Sequence, residues 1–322
     1  MAAQHTLGDT RPAQEPHPPR HRAWLTVFLT GLALWVLTVV VTFATGNANL
    51  LPTLVFLGSF LVPVTFVTWA FDHTTRGTAI TPRRLLAAFL VGGTLGVLGA
   101  SVLEDYFLHP SAGMFAGVGL IEEGVKLVAL WLVARGLPRY GVRDGLVLGA
   151  AVGFGFAALE SSGYALTALF TVKGLSLDAL VQTEILRGLL APFGHGLWTA
   201  ILGGVLFAGA AYGGSAREGR LRLTWPLICA YVGVAGLHAL WDAMHGIAVA
   251  LTARWTASPY QAGMLERGYL PRPTQEQANL VLALQIAGWV VITAVALAWL
   301  GALVRARAPR TDRRVAPGGW GA

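Results

Sequence analysis

Charged residues are scarce in this chain. Of its 322 residues only 12% are Asp, Glu, Lys or Arg, whereas 55% are hydrophobic, and the mean hydropathy is +0.60. Ordinary globular chains contain roughly 25% charged residues, so a soluble protein of this size could not cover its surface with so few. The same balance excludes disorder for the bulk of the chain. The composition therefore indicates an all-α, polytopic membrane protein.

Cysteine is almost absent too, since Cys229 is the only one, and this excludes an internal disulfide scaffold. Two sequence motifs of soluble hydrolases are also missing: the zinc-protease motif His-Glu-x-x-His and the nucleophile motif Gly-x-Ser-x-Gly. Any hydrolytic site in this chain must therefore be built in another way.

Long hydrophobic segments account for most of the sequence. A helix that crosses a bilayer needs about 20 mainly apolar residues. Eight segments meet that requirement: Trp24–Thr45, Asn49–Phe71, Leu85–Leu108, Gly113–Arg135, Gly145–Phe170, Gly188–Tyr212, Trp225–Leu251 and Asn279–Val304. We predict a transmembrane helical bundle of about eight spans over residues 24–304, with a disordered tail at 1–23 and a basic tail at 305–322.

The positive charges are distributed unevenly about these spans. On one side of the predicted membrane the tails and connections contain 17 Arg and Lys residues, and on the other side they contain five. Cytoplasmic connections are enriched in Lys and Arg, so both termini are predicted to be cytoplasmic. The net charge of +7 is then an orientation signal, and the lipid bilayer rather than a nucleic acid is the expected partner. Abundant Gly, Ala and Arg are typical of a GC-rich bacterial genome, which favours a bacterial cell membrane.

A few ionisable residues lie inside the predicted spans. Such side chains are costly at membrane depth and indicate function by default. They are Glu122, Glu123 and Lys126 in the fourth span, Glu160 in the fifth, His195 in the sixth, and His238, Asp242 and His245 in the seventh. At 1.5 Å per residue, one group on each of these four helices lies roughly 10–15 Å below the outer boundary. We therefore expect the four helices to bring them together in one layer.

Residues three or four apart share a helix face. Lys126 is thus expected to pair with Glu122 or Glu123 and to leave the other carboxylate free. His238 and Asp242 share a face of the seventh span.

The fifth span has a stripe of glycines at Gly145, Gly149 and Gly153. Small residues let helix backbones approach closely. Glu160 lies on the same face and is therefore expected to point into the bundle, where Tyr164 could donate a hydrogen bond to it.

These residue types suit peptide hydrolysis. A glutamate in a partly dry cavity can take a proton from water and return it to a leaving amine. His195 and His238, with either Glu160 or Asp242, would supply three ligands for a Zn²⁺ ion. Metal-dependent and purely glutamate-based hydrolysis remain alternatives.

The motifs resemble those of the PrsW family of bacterial intramembrane proteases, relatives of the CAAX prenyl endopeptidase and bacteriocin-immunity superfamily. The family pattern is Glu-Glu-x-x-Lys, Phe-x-x-x-Glu with a nearby aromatic residue, a histidine helix, and His-x-x-x-Asp or Asn. It is matched in order by Glu122, Glu123 and Lys126, by Phe156, Glu160 and Tyr164, by His195, and by His238 and Asp242. The resemblance covers roughly Leu85–Leu251, and Ser161 stands where the family often has Asn.

The resemblance implies an endopeptidase that cleaves membrane-anchored proteins, such as anti-sigma factors, near the extracytoplasmic surface. Its candidate catalytic residues are Glu122, Glu123, Glu160, His195, His238 and Asp242. Two other functions remain open. One is a proton-coupled transporter or ion pathway, because carboxylate and histidine chains also mark proton relays, although the sequence has no clear inverted repeat. The other is a catalytically silent membrane scaffold.

Overall fold

The computed structural model describes residues 22–74, 80–111, 113–211, 220–269 and 271–305. Within these ranges the chain forms ten α-helices, and the all-α prediction is confirmed. The helices are α1 (Ala23–Thr45), α2 (Leu51–Thr74), α3 (Pro82–Phe107), α4 (Met114–Ala134), α5 (Val142–Leu169), α6 (Leu177–Leu190), α7 (His195–Ala211), α8 (Trp225–Thr256), α9 (Pro259–Glu266) and α10 (Gln275–Arg305). One antiparallel hairpin of two-residue strands, β1 (Phe170–Thr171) and β2 (Gly174–Leu175), joins α5 to α6. The predicted tails lie almost wholly outside the described residues.

Seven helical segments in the described part of the chain are long and apolar enough to cross a membrane, which makes this a multi-pass membrane protein. The remaining predicted span corresponds to α4, which has 21 residues and contains three charges. α4 still belongs to the bundle, because it packs against both α3 and α8. The orientation of the termini stays a prediction.

The sixth predicted span is not one continuous helix. The chain leaves the α-helix after Leu190, forms a 3-10 turn over Ala191–Phe193, and begins α7 at His195. Pro192 has no backbone N–H to donate. Gly194 has φ −105° and ψ −125°, outside the helical region. The prediction of a single span over Gly188–Tyr212 was therefore wrong about its start.

The segment before this break, most of which lies between the fifth and sixth predicted spans, forms α6. The Ser176 side chain accepts a hydrogen bond from the Ala179 backbone N–H at 3.2 Å and caps the helix. Asp178 in the first turn and Arg187 in the last turn match the helix dipole. These local interactions stabilise the two ends of a short helix whose Leu180 and Glu184 are buried.

The glycine stripe of α5 permits close backbone contact, as predicted, and the helix that it contacts is α7. A Cβ added at Gly145, Gly149 or Gly153 would overlap the α7 backbone at Gly203, Thr199 or His195, respectively. On its other side α5 approaches α3 as closely, because a Cβ at Gly155 would overlap the Phe89 carbonyl. α5 is therefore the central helix, and its contact with α7 sets the position of His195.

Candidate active site

Four helices bring the predicted residues together, as their common depth in the sequence suggested. α4 provides Glu122 and Glu123, α5 provides Glu160, α7 begins at His195, and α8 provides His238 and Asp242. Neighbouring members of this cluster lie between 3.0 and 3.8 Å apart. The bundle thus places six ionisable groups in one connected site.

Lys126 lies at the centre of the cluster and is fully buried. Its Nζ is 2.7 Å from Glu123 Oε1, 3.2 Å from Glu122 Oε2 and 2.8 Å from His195 Nδ1. The Phe156 ring lies 4.2 Å from the same Nζ, which makes a cation–π contact. We expected Lys126 to pair with only one glutamate, and this was wrong because the i,i+3 and i,i+4 carboxylates both reach it.

His238 is buried between three carboxylates. Its Nδ1 is 3.0 Å from Glu123 Oε1, while its Nε2 is 3.6 Å from Glu122 Oε2 and 3.4 Å from Asp242 Oδ2. With a proton on Nδ1, the imidazole donates to Glu123, and Nε2 faces Glu122 and Asp242. Glu123, which is fully buried, therefore orients His238.

His195 has a carboxylate on each side. Its Nε2 is 3.0 Å from Glu160 Oε2, and its Nδ1 is 3.8 Å from Glu122 Oε2. A lysine ammonium group can only donate, so Nδ1 accepts from Lys126 and the Nε2–H donates to Glu160. The contacts thus assign the tautomer of His195.

Arg187 is a residue of the site that the sequence did not reveal. It forms an ion pair with Glu160, and its Nε donates to Ser161 Oγ at 2.8 Å. Its guanidinium group lies 4.2 Å from the centre of the Tyr164 ring. The expected hydrogen bond from Tyr164 to Glu160 was wrong, since Arg187 takes that place. One feature of the sequence could have identified Arg187, because it lies one residue before the predicted start of the span that contains His195.

Trp198 was also missed. It is buried, and its ring centroid lies 4.8 Å from that of His238 and 5.5 Å from that of His195. Trp198 therefore packs against both imidazoles. Its position three residues after His195, on the same helix face, is the signal that could have identified it.

Three side chains could hold a metal ion. Ligand atoms of Glu122, His195 and His238 all lie within 4.8 Å of one another. We expected Glu160 or Asp242 to complete the histidine pair, but in the described part of the chain the third member of this group is Glu122. Glu160 instead contacts the opposite nitrogen of His195.

This set of donors fits Zn²⁺, which binds imidazole nitrogens and carboxylate oxygens. Each imidazole has a carboxylate on the nitrogen that faces away from Glu122, namely Glu160 for His195 and Glu123 for His238. Carboxylates in that position orient metal-binding histidines. Lys126 contacts His195 Nδ1, the nitrogen that faces Glu122, so a cation bound there would displace the ammonium group from it.

A cavity of about 80 Å³ adjoins the cluster. Its walls include Glu160, Arg187, His195, Trp241 and Asp242. One water molecule takes roughly 30 Å³ of liquid volume, so the cavity has room for about two. The arrangement can therefore hold water beside carboxylates that accept protons and imidazoles that donate or accept them. His245 lies outside the cluster and contacts Gln285 at 3.1 Å.

The part of the chain that contains the cluster is similar to known proteins. A family model described as PrsW family intramembrane metalloprotease matches residues 81–264, which is more than half of the chain and includes every residue of the cluster. "Protease PrsW" of Shouchella clausii (strain KSM-K16) is 36% identical over 83 residues, or 25% of this chain and 38% of that relative. The chain thus spans less than half the length of the curated relative that it matches. No solved structure matches.

Proposed function

The chain belongs to the PrsW family of intramembrane metalloproteases, and we propose that it is an endopeptidase that hydrolyses peptide bonds of membrane-anchored proteins. The observation that carries the proposal is the convergence of Glu122, His195 and His238 inside a bundle of apolar helices, next to a small cavity that His195 lines. The name of the Shouchella clausii relative, Protease PrsW, also supports a protease.

We assign proton transfer to Glu122. Its side chain keeps 8% exposure, whereas that of Glu123 has none and is held by Lys126 and His238. Glu122 would accept a proton from the attacking water and pass it to the leaving amine. Glu123 would hold His238 in place.

The two histidines and Asp242 would act on the substrate carbonyl. His238 directs Nε2 toward Glu122 and Asp242, so a proton on this nitrogen could be donated to the developing oxyanion. Asp242, with 28% of its side chain exposed, lines the cavity and would orient the imidazole.

In the metal-dependent alternative, Glu122, His195 and His238 would instead hold a Zn²⁺ ion, which when bound polarises a carbonyl and acidifies water. Their separation suits such an ion, and Glu123 and Glu160 would orient the histidines. Metal analysis of purified, active protein tests this assignment, because a preparation that cleaves substrate without bound metal would exclude it.

The proposed setting is the cell membrane of a bacterium, with both termini in the cytoplasm and the cluster toward the extracytoplasmic side. The 17-to-5 distribution of Arg and Lys supports that orientation. Substrates would be single-span proteins, and an anti-sigma factor is the substrate that the family resemblance favours.

Cleavage of single-span test substrates by the purified protein is the decisive experiment. We expect Glu122→Gln and His238→Ala to lower the rate by about 10²-fold or more, and Glu123→Gln by about 10- to 100-fold because it acts through His238. Asp105→Asn is the matched control, since Asp105 is an exposed carboxylate near the end of α3. Full cleavage by Glu122→Gln would contradict the assignment, and proton-coupled flux in liposomes without cleavage would favour the transporter.

A further inference from the structure

Arg187 connects α6 to the candidate active site on α5. Its guanidinium group binds the Glu160 carboxylate and the Ser161 hydroxyl, and it lies over the Tyr164 ring. All three partners belong to α5 and lie close together along it. Arg187 thus docks α6 on α5 through a planar, multidentate group, which a lysine could not reproduce.

The contact with Glu160 reaches the first residue of α7. One oxygen of Glu160, Oε2, accepts both from Arg187 and from the His195 Nε2–H. The position of that oxygen therefore depends on Arg187. Because Glu160 holds the Nε2 proton, the other nitrogen of His195 faces Lys126 and Glu122 as an acceptor.

The position of Arg187 is itself set by contacts of α6 with helices other than α5. Glu184, one turn earlier, is buried and accepts a hydrogen bond from Trp35 Nε1 of α1 at 2.8 Å. α6 also packs against α2. Arg187 is therefore supported by helices other than the one that provides Glu160.

We propose that Arg187 is a positioning residue of the peptidase reaction. It fixes the Glu160 carboxylate and thereby selects the tautomer and orientation of His195. The proposal rests on the proposed function, because it assigns Arg187 a role in that reaction. It gives the short helix α6 a role in the site, although α6 provides none of the groups assigned to act on substrate or water.

The test compares Arg187→Gln, Arg187→Lys and the wild-type protein in cleavage of one single-span substrate. Loss of an outer residue that orients a ligand or catalytic histidine typically lowers activity or metal affinity by about 10- to 100-fold. We expect that fall in kcat for Arg187→Gln, with KM nearly unchanged, and a smaller fall for Arg187→Lys, which keeps the charge. Lys173→Gln is the control, because it removes one exposed positive charge from the hairpin just before α6.

Zn²⁺ affinity, measured against a competing chelator, provides a readout that does not need cleavage. We expect Arg187→Gln to bind Zn²⁺ about 10- to 100-fold more weakly than the wild type. A purely structural role would lower the folded fraction and leave both kcat per folded molecule and Zn²⁺ affinity unchanged, and that result would overturn the proposal.

Different results would contradict the role of Arg187 and the peptidase activity. Wild-type cleavage that Arg187→Gln retains in full would overturn the role of Arg187 and leave the peptidase standing. Absence of cleavage by the wild type would overturn the peptidase, and the Zn²⁺ affinities would then decide whether Arg187 positions His195.

Discussion

The first and fifth helices are both long and apolar, but they are buried to opposite degrees. In α5 every residue of the run Ala151–Ala158 is buried, whereas of the 23 residues of α1 only Thr42 is. The mean hydropathy has the opposite order, since it is 1.5 for the α5 span and 2.3 for the α1 span. The less hydrophobic helix is therefore the central one.

Membrane packing explains this inversion. Lipid tails are as apolar as leucine, so a helix gains little from burying leucines against its neighbours, and close contacts use glycine and alanine instead. Ionisable residues also face the bundle interior. α5 has the glycine stripe and Glu160, whereas α1 exposes large residues such as Leu37. In this chain small and polar residues, rather than hydrophobicity, mark the centre of the bundle.

Removal of the buried cation should have the largest effect on stability. Lys126→Met would leave Glu122 and Glu123 without their common partner, and breaking a buried ion pair costs about 3–5 kcal/mol. Arg254→Met, at an exposed residue near the end of α8, should change the free energy of unfolding by less than about 0.5 kcal/mol. Chemical unfolding in detergent measures both, and equal effects would show that the cluster is not an ion-paired core.

Truncation of leucine tests the contrast between centre and periphery directly. Leu202→Ala in α7, at a fully buried side chain, should lower the free energy of unfolding by about 2–5 kcal/mol because it leaves a cavity. Leu37→Ala in α1, where 59% of the side chain is exposed, should change it by less than about 0.5 kcal/mol. A similar loss for both variants would contradict the assignment of α1 to the periphery.

Two alanine substitutions within α5 give the smallest and most local test. Gly149→Ala would push a Cβ into the α7 backbone at Thr199, and overpacking typically costs about 1–3 kcal/mol. A Cβ at the exposed Gly163 meets no atom within 4 Å, so Gly163→Ala should be neutral or stabilise the helix by up to about 1 kcal/mol. Thermal unfolding of the two variants measures the difference, and it would vanish if the helices could move apart freely.

Much of the site could be predicted because ionisable residues are rare in membrane spans. Glu122, Glu160, His195 and His238 were identified from their type and depth, and the structure brings them together. A close backbone approach at α5 followed from glycines at a spacing of four, although they did not identify α7 as the partner. Spacing along one helix was sufficient in each case.

Contacts that depend on how helices rotate against one another were not predictable. The third member of the possible metal site is Glu122 rather than Glu160 or Asp242, and helical spacing does not determine which carboxylate faces two imidazoles on other helices. Helix rotation also decides that Glu160 pairs with Arg187 rather than with Tyr164. A proline and a glycine break the predicted sixth span, and this creates the helix from which Arg187 reaches the site.

The amino-acid sequence was enough to predict that the chain crosses a membrane repeatedly and to identify the few ionisable residues that lie within the spans. Both follow from composition and from distance along a helix axis, since transfer of charge into a bilayer is costly. The sharing of the carboxylates is visible only in the folded protein, where Glu122 faces both imidazoles, Glu123 holds His238, and Glu160 is shared by His195 and Arg187. Such pairings depend on helix rotation and on the break before His195, because shifts of a few ångströms between helices decide which atoms come within hydrogen-bond distance.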